Sequence, residues 1–133
     1  MVKVEHIGIA VNSLEISIPL FEKLLNSTCY KKEKVDSESV ETAFFKKGDT
    51  KIELVVATSE LSAIHKFISK QGEGIHHIAF EVDNIELEMS RLKNEGFILL
   101  NENPKPGADN KLVCFLHPKS TNSVLIELCQ EIK

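Results

Sequence analysis

Gly74-Ile75-His76-His77-Ile78-Ala79-Phe80-Glu81-Val82 decides the fold, because Val4-Glu5-His6-Ile7-Gly8-Ile9-Ala10-Val11 repeats it. Superimposed, His6 meets His77, and each histidine is followed by an apolar residue and then a small one. Both stretches alternate as half-buried strands do, and both run into a polar pair, Asn12-Ser13 or Asp83-Asn84. The Asn or Asp there predicts a helix N-cap, with Glu15 or Glu86 three residues on. A second echo closes each half, Lys51-Ile52-Glu53-Leu54-Val55 against Leu125-Ile126-Glu127-Leu128-Cys129. The histidines lie 71 residues apart and the glutamates 74, so the chain reads as one unit written twice.

Outward from the repeat, periodicity predicts strands over 2–11, 28–35, 40–47 and 51–56, with a helix over 13–25 carrying Leu14, Ile18, Phe21 and Leu25 on one face. Pro19 either begins that helix or kinks its first turn, since a proline inside a helix costs about 3 kcal/mol. Residues 60–71 form an amphipathic connecting helix ending near Gly72. The second half repeats the order with strand 75–82, helix 84–95, and strands 97–101, 111–117 and 123–130. Residues 103–110, rich in Pro, Gly, Asn and Asp, read as a loop. The fold class is therefore α+β: two tandem βαβββ modules forming a curved eight-stranded mixed sheet around a metal site. One domain is expected over 1–133, with module 1 about 1–58, the connecting helix about 59–72 and module 2 about 73–133.

With 133 residues, 42% of them hydrophobic, the chain can bury one shared core. A net charge of −4 without a basic run disfavours nucleic acid and anionic membranes as partners. No apolar stretch approaches the roughly 18–20 residues of a membrane span. Three cysteines without CxxC spacing read as free thiols, and a cytoplasmic location is expected. The chain has no GxGxxG, Walker, GxSxG or HExxH motif to support a nucleotide-binding, serine-hydrolase or metalloprotease reading.

Alternation sets His6 beside small residues and turns Glu53 and Glu127 away from their apolar neighbours. If the modules associate with pseudo-twofold symmetry, His6, Glu53, His77 and Glu127 can meet. Two imidazoles and two carboxylates suit a borderline divalent ion such as Co²⁺, Ni²⁺, Mn²⁺, Fe²⁺ or Zn²⁺. Glu41 has no counterpart near Leu112, and one extra acid on one side suits proton transfer to an asymmetric substrate. His65 is expected on the exposed face of its helix and His76 in a packing role. His117-Pro118-Lys119-Ser120 is a turn able to offer a cation and a hydroxyl, Lys119 and Ser120, to a substrate anion.

These residues give the chain a close resemblance to the vicinal oxygen chelate superfamily and, within it, to the methylmalonyl-CoA epimerase family. The similar stretches run through Glu5–Val11, Gly72–Val82, Phe115–Thr121 and Val124–Leu128. The resemblance implies metal binding by His6, Glu53, His77 and Glu127, with Glu41 and Glu127 as acid/base residues on either side of a substrate carbon. It also implies one divalent ion (Co²⁺ favoured, with Mn²⁺, Ni²⁺, Zn²⁺ or Mg²⁺ as alternatives), an acyl-CoA substrate and a homodimer. A glyoxalase-type lyase, a non-haem iron dioxygenase and a metal-free binding module of the same fold are the rival readings. Ala108-Asp109-Asn110 and Asn122-Ser123 stand where the family favours glycine, which bears on acyl-group preference.

Overall fold

The computed structural model describes residues 1–133. It contains eight strands and three α-helices, with both parallel and antiparallel pairing, in the βαβββ order expected. Contacts divide the chain into two compact units, His6–His76 and His77–Lys133, the latter including Met1–Glu5.

In the first unit β1 (Lys3–Ala10, its first residues belonging to the second unit) runs into α1 (Leu14–Leu25). The strands β2 (Lys31–Val35), β3 (Val40–Lys47) and β4 (Thr50–Ala57) follow, and then α2 (Ala63–Gln71). The sheet order is β2-β3-β4-β1, with β1 parallel to β4 and the other pairs antiparallel. One face packs under α1 through Leu14, Ala43, Phe45 and Leu54. The other face is partly covered by α2, where Ile64 joins Ala10, Val40 and Val55.

The caps fall one residue later than expected. Ser13 accepts the Ile16 N–H at 3.3 Å, and Asn84 accepts the Leu87 N–H at 3.1 Å. Pro19 lies inside α1. Pro19 and Glu15 are both exposed, so water can solvate the Glu15 carbonyl that loses its helical donor.

The second unit comprises β5 (Gly74–Glu81, entering from the first unit), α3 (Ile85–Asn94), β6 (Lys105–Gly107), β7 (Lys111–Leu116) and β8 (Ile126–Glu131). Its order is β5-β8-β7-β6, again with one parallel pair, β5 with β8. The α3 side buries Ile85, Met89, Leu92, Cys114, Leu116 and Leu128. The amino terminus is tied into this unit: the Val2 N–H donates to Glu81 at 2.8 Å, and the Met1 ammonium lies 3.4 Å from Glu88.

One strand differs from its sequence reading. Residues 97–101 contribute only a single bridge, Leu99 with Leu116, and the strand pairing with β7 is Lys105-Pro106-Gly107. A proline is tolerated there because β6 is an edge strand. Gly107 is required by space, since a Cβ would come within 2.9 Å of Val113 Cγ1.

Candidate active site

Each unit holds one buried histidine–glutamate pair. In the first, His6 Nε2 on β1 lies 3.6 Å from Glu53 Oε1 on β4, and each side chain is 7% exposed. In the second, His77 Nε2 on β5 lies 3.3 Å from Glu127 Oε1 on β8, again with each side chain 7% exposed. The registers match. Gly8 stands opposite Glu53 and Ala79 opposite Glu127, so in both units the histidine precedes its glutamate's partner by two residues. Such a diagonal across parallel strands brings long side chains of one face within reach of each other.

The small partners matter, because Gly8 and Ala79 leave space beside the imidazoles. Buried carboxylates require a compensating partner. In each pair a nitrogen and an oxygen donor converge, the chemistry of a borderline divalent ligand set, so these residues fit a metal. Phe115, opposite Glu127 in register, braces the His77 ring edge-to-face at 5.9 Å between centroids.

The register of β3 sets the side of the sheet on which Glu41 stands. In an antiparallel pair, directly opposite residues share a face. Glu53 is opposite Phe44, whereas Glu41 is opposite Val56 and, on the other side, Lys34. Glu41 therefore shares the α1 face with Ala43 and Leu54, not the face of Glu53. The face of Glu53 carries Thr42 instead, 2% exposed, its hydroxyl donating to the Glu33 carbonyl at 3.3 Å.

Lys119 is exposed. The Ser120 hydroxyl is engaged in its own turn, donating to the His117 carbonyl at 2.9 Å and accepting the Ile98 N–H at 3.2 Å. His65 is exposed and His76 packs edge-on against Phe67 at 5.0 Å, both as the sequence suggested.

Sequence reasoning missed a buried group in the second unit. Glu5 and Lys111, 2% and 5% exposed, face each other at 4.0 Å. Counting back by twos from Phe115 puts Lys111 on its face, but strict alternation in β1 cannot bury both Glu5 and His6. Cys129 is fully buried, and its thiol pKa is pushed well up by burial first and then by the Glu127 and Glu5 carboxylates. All three cysteines are free thiols.

Residues 5–115 match the Glyoxalase/Bleomycin resistance protein/Dioxygenase superfamily, and the chain belongs to it. The chain is 37% identical over 130 residues to ethylmalonyl-CoA/methylmalonyl-CoA epimerase of Cereibacter sphaeroides, spanning 96% of this chain and 97% of that protein. Among solved structures it is similar to methylmalonyl-CoA epimerase from Mycobacterium tuberculosis, with a TM-score of 0.94 at 30% identity over 98% of this chain and 89% of that one. It is equally similar, with a TM-score of 0.94 at 27% identity, to a variant of Streptomyces coelicolor methylmalonyl-CoA epimerase in complex with 2-nitronate-propionyl-CoA, covering 100% and 99% of the two chains. No helix is long and apolar enough to cross a membrane.

Proposed function

We propose that this chain is a metal-dependent epimerase that interconverts (2R)- and (2S)-methylmalonyl-CoA. The observation that carries the reading is the recurrence of one buried His–Glu pair, in one register, in both units of a chain whose named relatives are such epimerases. His6, Glu53, His77 and Glu127 would together hold one divalent ion, Co²⁺ being the favoured candidate. When bound, the ion supplies Lewis-acid stabilisation of the negative charge that develops when the carbon between thioester and carboxylate loses its proton.

The chain's own residues move that proton. The C2–H bond breaks as its proton passes to a glutamate oxygen, and the electron pair delocalises into the thioester carbonyl. A new C2–H bond forms on the opposite face with a proton from a second carboxylic acid, restoring the carbonyl. Glu127 is the proposed acid/base residue on one face. Lys119 is the exposed cation proposed for the anionic groups of the acyl-CoA, on a turn fixed by Ser120. A metal-free binding module would gain nothing from two buried carboxylate–imidazole pairs, which cost desolvation.

The test is solvent-deuterium incorporation at C2 of each methylmalonyl-CoA epimer, with metal-loaded and chelator-stripped protein. Exchange and inversion that depend on the ion are expected. Metal-loaded protein that neither exchanges nor inverts overturns the reading.

A further inference from the structure

The face of the first unit that carries His6 and Glu53 has two unlike ends. At one end α2 covers it, with Ile64 against Ala10, Val40 and Val55. At the other end the register sets Lys51 beside His6 and directly opposite Lys46, so both lysines stand on the face of the His–Glu pair. Lys46 is exposed and Lys51 half-buried. Lys31 belongs to the same face, opposite Phe44, and its ammonium lies 3.4 Å from Glu33. Lys47 falls on the other face, opposite Thr50, and donates to the Leu25 carbonyl at 3.0 Å, so the end of α1 accounts for it. Nothing comparable explains why Lys46 and Lys51 face each other, since like charges directly opposite on one sheet face are destabilising. An anion bound between them reverses that cost.

We propose that Lys46 and Lys51 hold the phosphate-bearing end of the acyl-CoA and make the chain selective for CoA thioesters over shorter ones, an inference that rests on the epimerase reading above. With α2 over one end of the face, a thioester held at His6 and Glu53 has its long pantetheine arm leave over the lysine end. Two strand spacings put the Lys46 Cα about 10 Å from that of His6, and both long side chains extend the reach further. The diphosphate and the 3′-phosphate lie beyond the arm, and lysine meets phosphate as a point charge. In a chain of net charge −4, a cationic strand end beside the ligand pair also draws a polyanion toward the site. An acyl-CoA carries anionic groups at both its ends, so this pair adds to Lys119 and does not replace it.

The experiment compares wild type, Lys46→Met, Lys46→Met/Lys51→Met and Lys32→Met/Lys34→Met, all metal-loaded with metal content and thermal melting verified. Lys32 and Lys34 are exposed on the other face of β2, so that variant matches the loss of charge. Inversion is followed with methylmalonyl-CoA and with methylmalonyl-pantetheine, which lacks the phosphates, and binding of free CoA is measured by calorimetry without turnover. Lys46→Met is expected to raise KM for methylmalonyl-CoA about 3- to 5-fold, the contribution of one exposed charge pair, and the double variant about 10- to 25-fold. Both keep the wild-type kcat, the mark of lost uniform binding, and both handle the pantetheine thioester as wild type does. Calorimetry should show the same loss of CoA affinity, and the Lys32/Lys34 variant should show none. Wild-type KM and CoA affinity in the Lys46/Lys51 variant overturn the assignment, as does an equal loss with both thioesters or in the Lys32/Lys34 variant; each leaves the epimerase reading standing. Weakened CoA binding in the Lys46/Lys51 variant of a chain whose wild type never inverts the substrate upholds the phosphate site and overturns the epimerase reading.

Discussion

Replacing Lys111 with methionine tests how the second unit tolerates its buried charge. Lys111 Nζ and Glu5 Oε2 are 4.0 Å apart, with side chains 6% and 3% exposed. An exposed pair at that distance contributes about 0–1 kcal/mol, whereas removing one member of a buried pair costs about 3–5 kcal/mol because the other charge stays behind without compensation. The burial places this pair in the second class, and its long separation places it at the low end, about 3 kcal/mol. For a chain of this size each kcal/mol corresponds to about 3–5 °C, so Lys111→Met should lower the Tm by roughly 9–15 °C. Urea unfolding in the presence of chelator isolates the effect from metal linkage, and the midpoint should fall while the slope stays constant. The double variant Glu5→Leu/Lys111→Met removes desolvation and attraction together and should return to within about 1 kcal/mol of wild type. A single variant that loses less than 1 kcal/mol, or a double variant less stable than the single, refutes the reasoning.

Three further outcomes follow from particular residues. Wild-type protein should retain one divalent ion per chain, and the His6→Ala/His77→Ala double variant should lose it by far more than the roughly 10–100-fold cost of losing a residue that merely orients a ligand; full occupancy by elemental analysis in the double variant would contradict the ligand set. Gly107→Ala drives a Cβ to 2.9 Å from Val113 Cγ1, against a side chain with little rotamer freedom, and should cost about 1–3 kcal/mol in chemical denaturation, relieved by adding Val113→Ala. Ser123 holds a left-handed φ of 69°, so Ser123→Gly should stabilise the chain by about 0.5–1 kcal/mol, with a lower Tm as the contrary result.

Most of the fold was legible because its signals are local. Alternation shows which side of a strand a residue takes, and the doubled sequence shows that whatever His6 and Glu53 do, His77 and Glu127 do also. The shared register, Gly8 opposite Glu53 and Ala79 opposite Glu127, is the structural counterpart of the nearly equal offsets. Cap position and the β6 strand were less legible. Ser13 could compete with Asn12 as a cap, and Lys105-Pro106-Gly107 reads as loop until the free edge of β7 supplies its partner.

Glu41 shows where reading one strand at a time stops. The sequence correctly sets Glu41 on the face of Ala43, and Glu53 on the face opposite Leu54. Whether Glu41 and Glu53 share a face then depends on how β3 is aligned with β4, and a slip of one residue reverses the answer. The observed alignment pairs Ala43 with Leu54, both fully buried beneath α1, together with Phe45. Shifting it by one would carry Ala43 and Phe45 out of the core and bring Thr42 and Phe44 under the helix. The α1 packing therefore decides the face of Glu41.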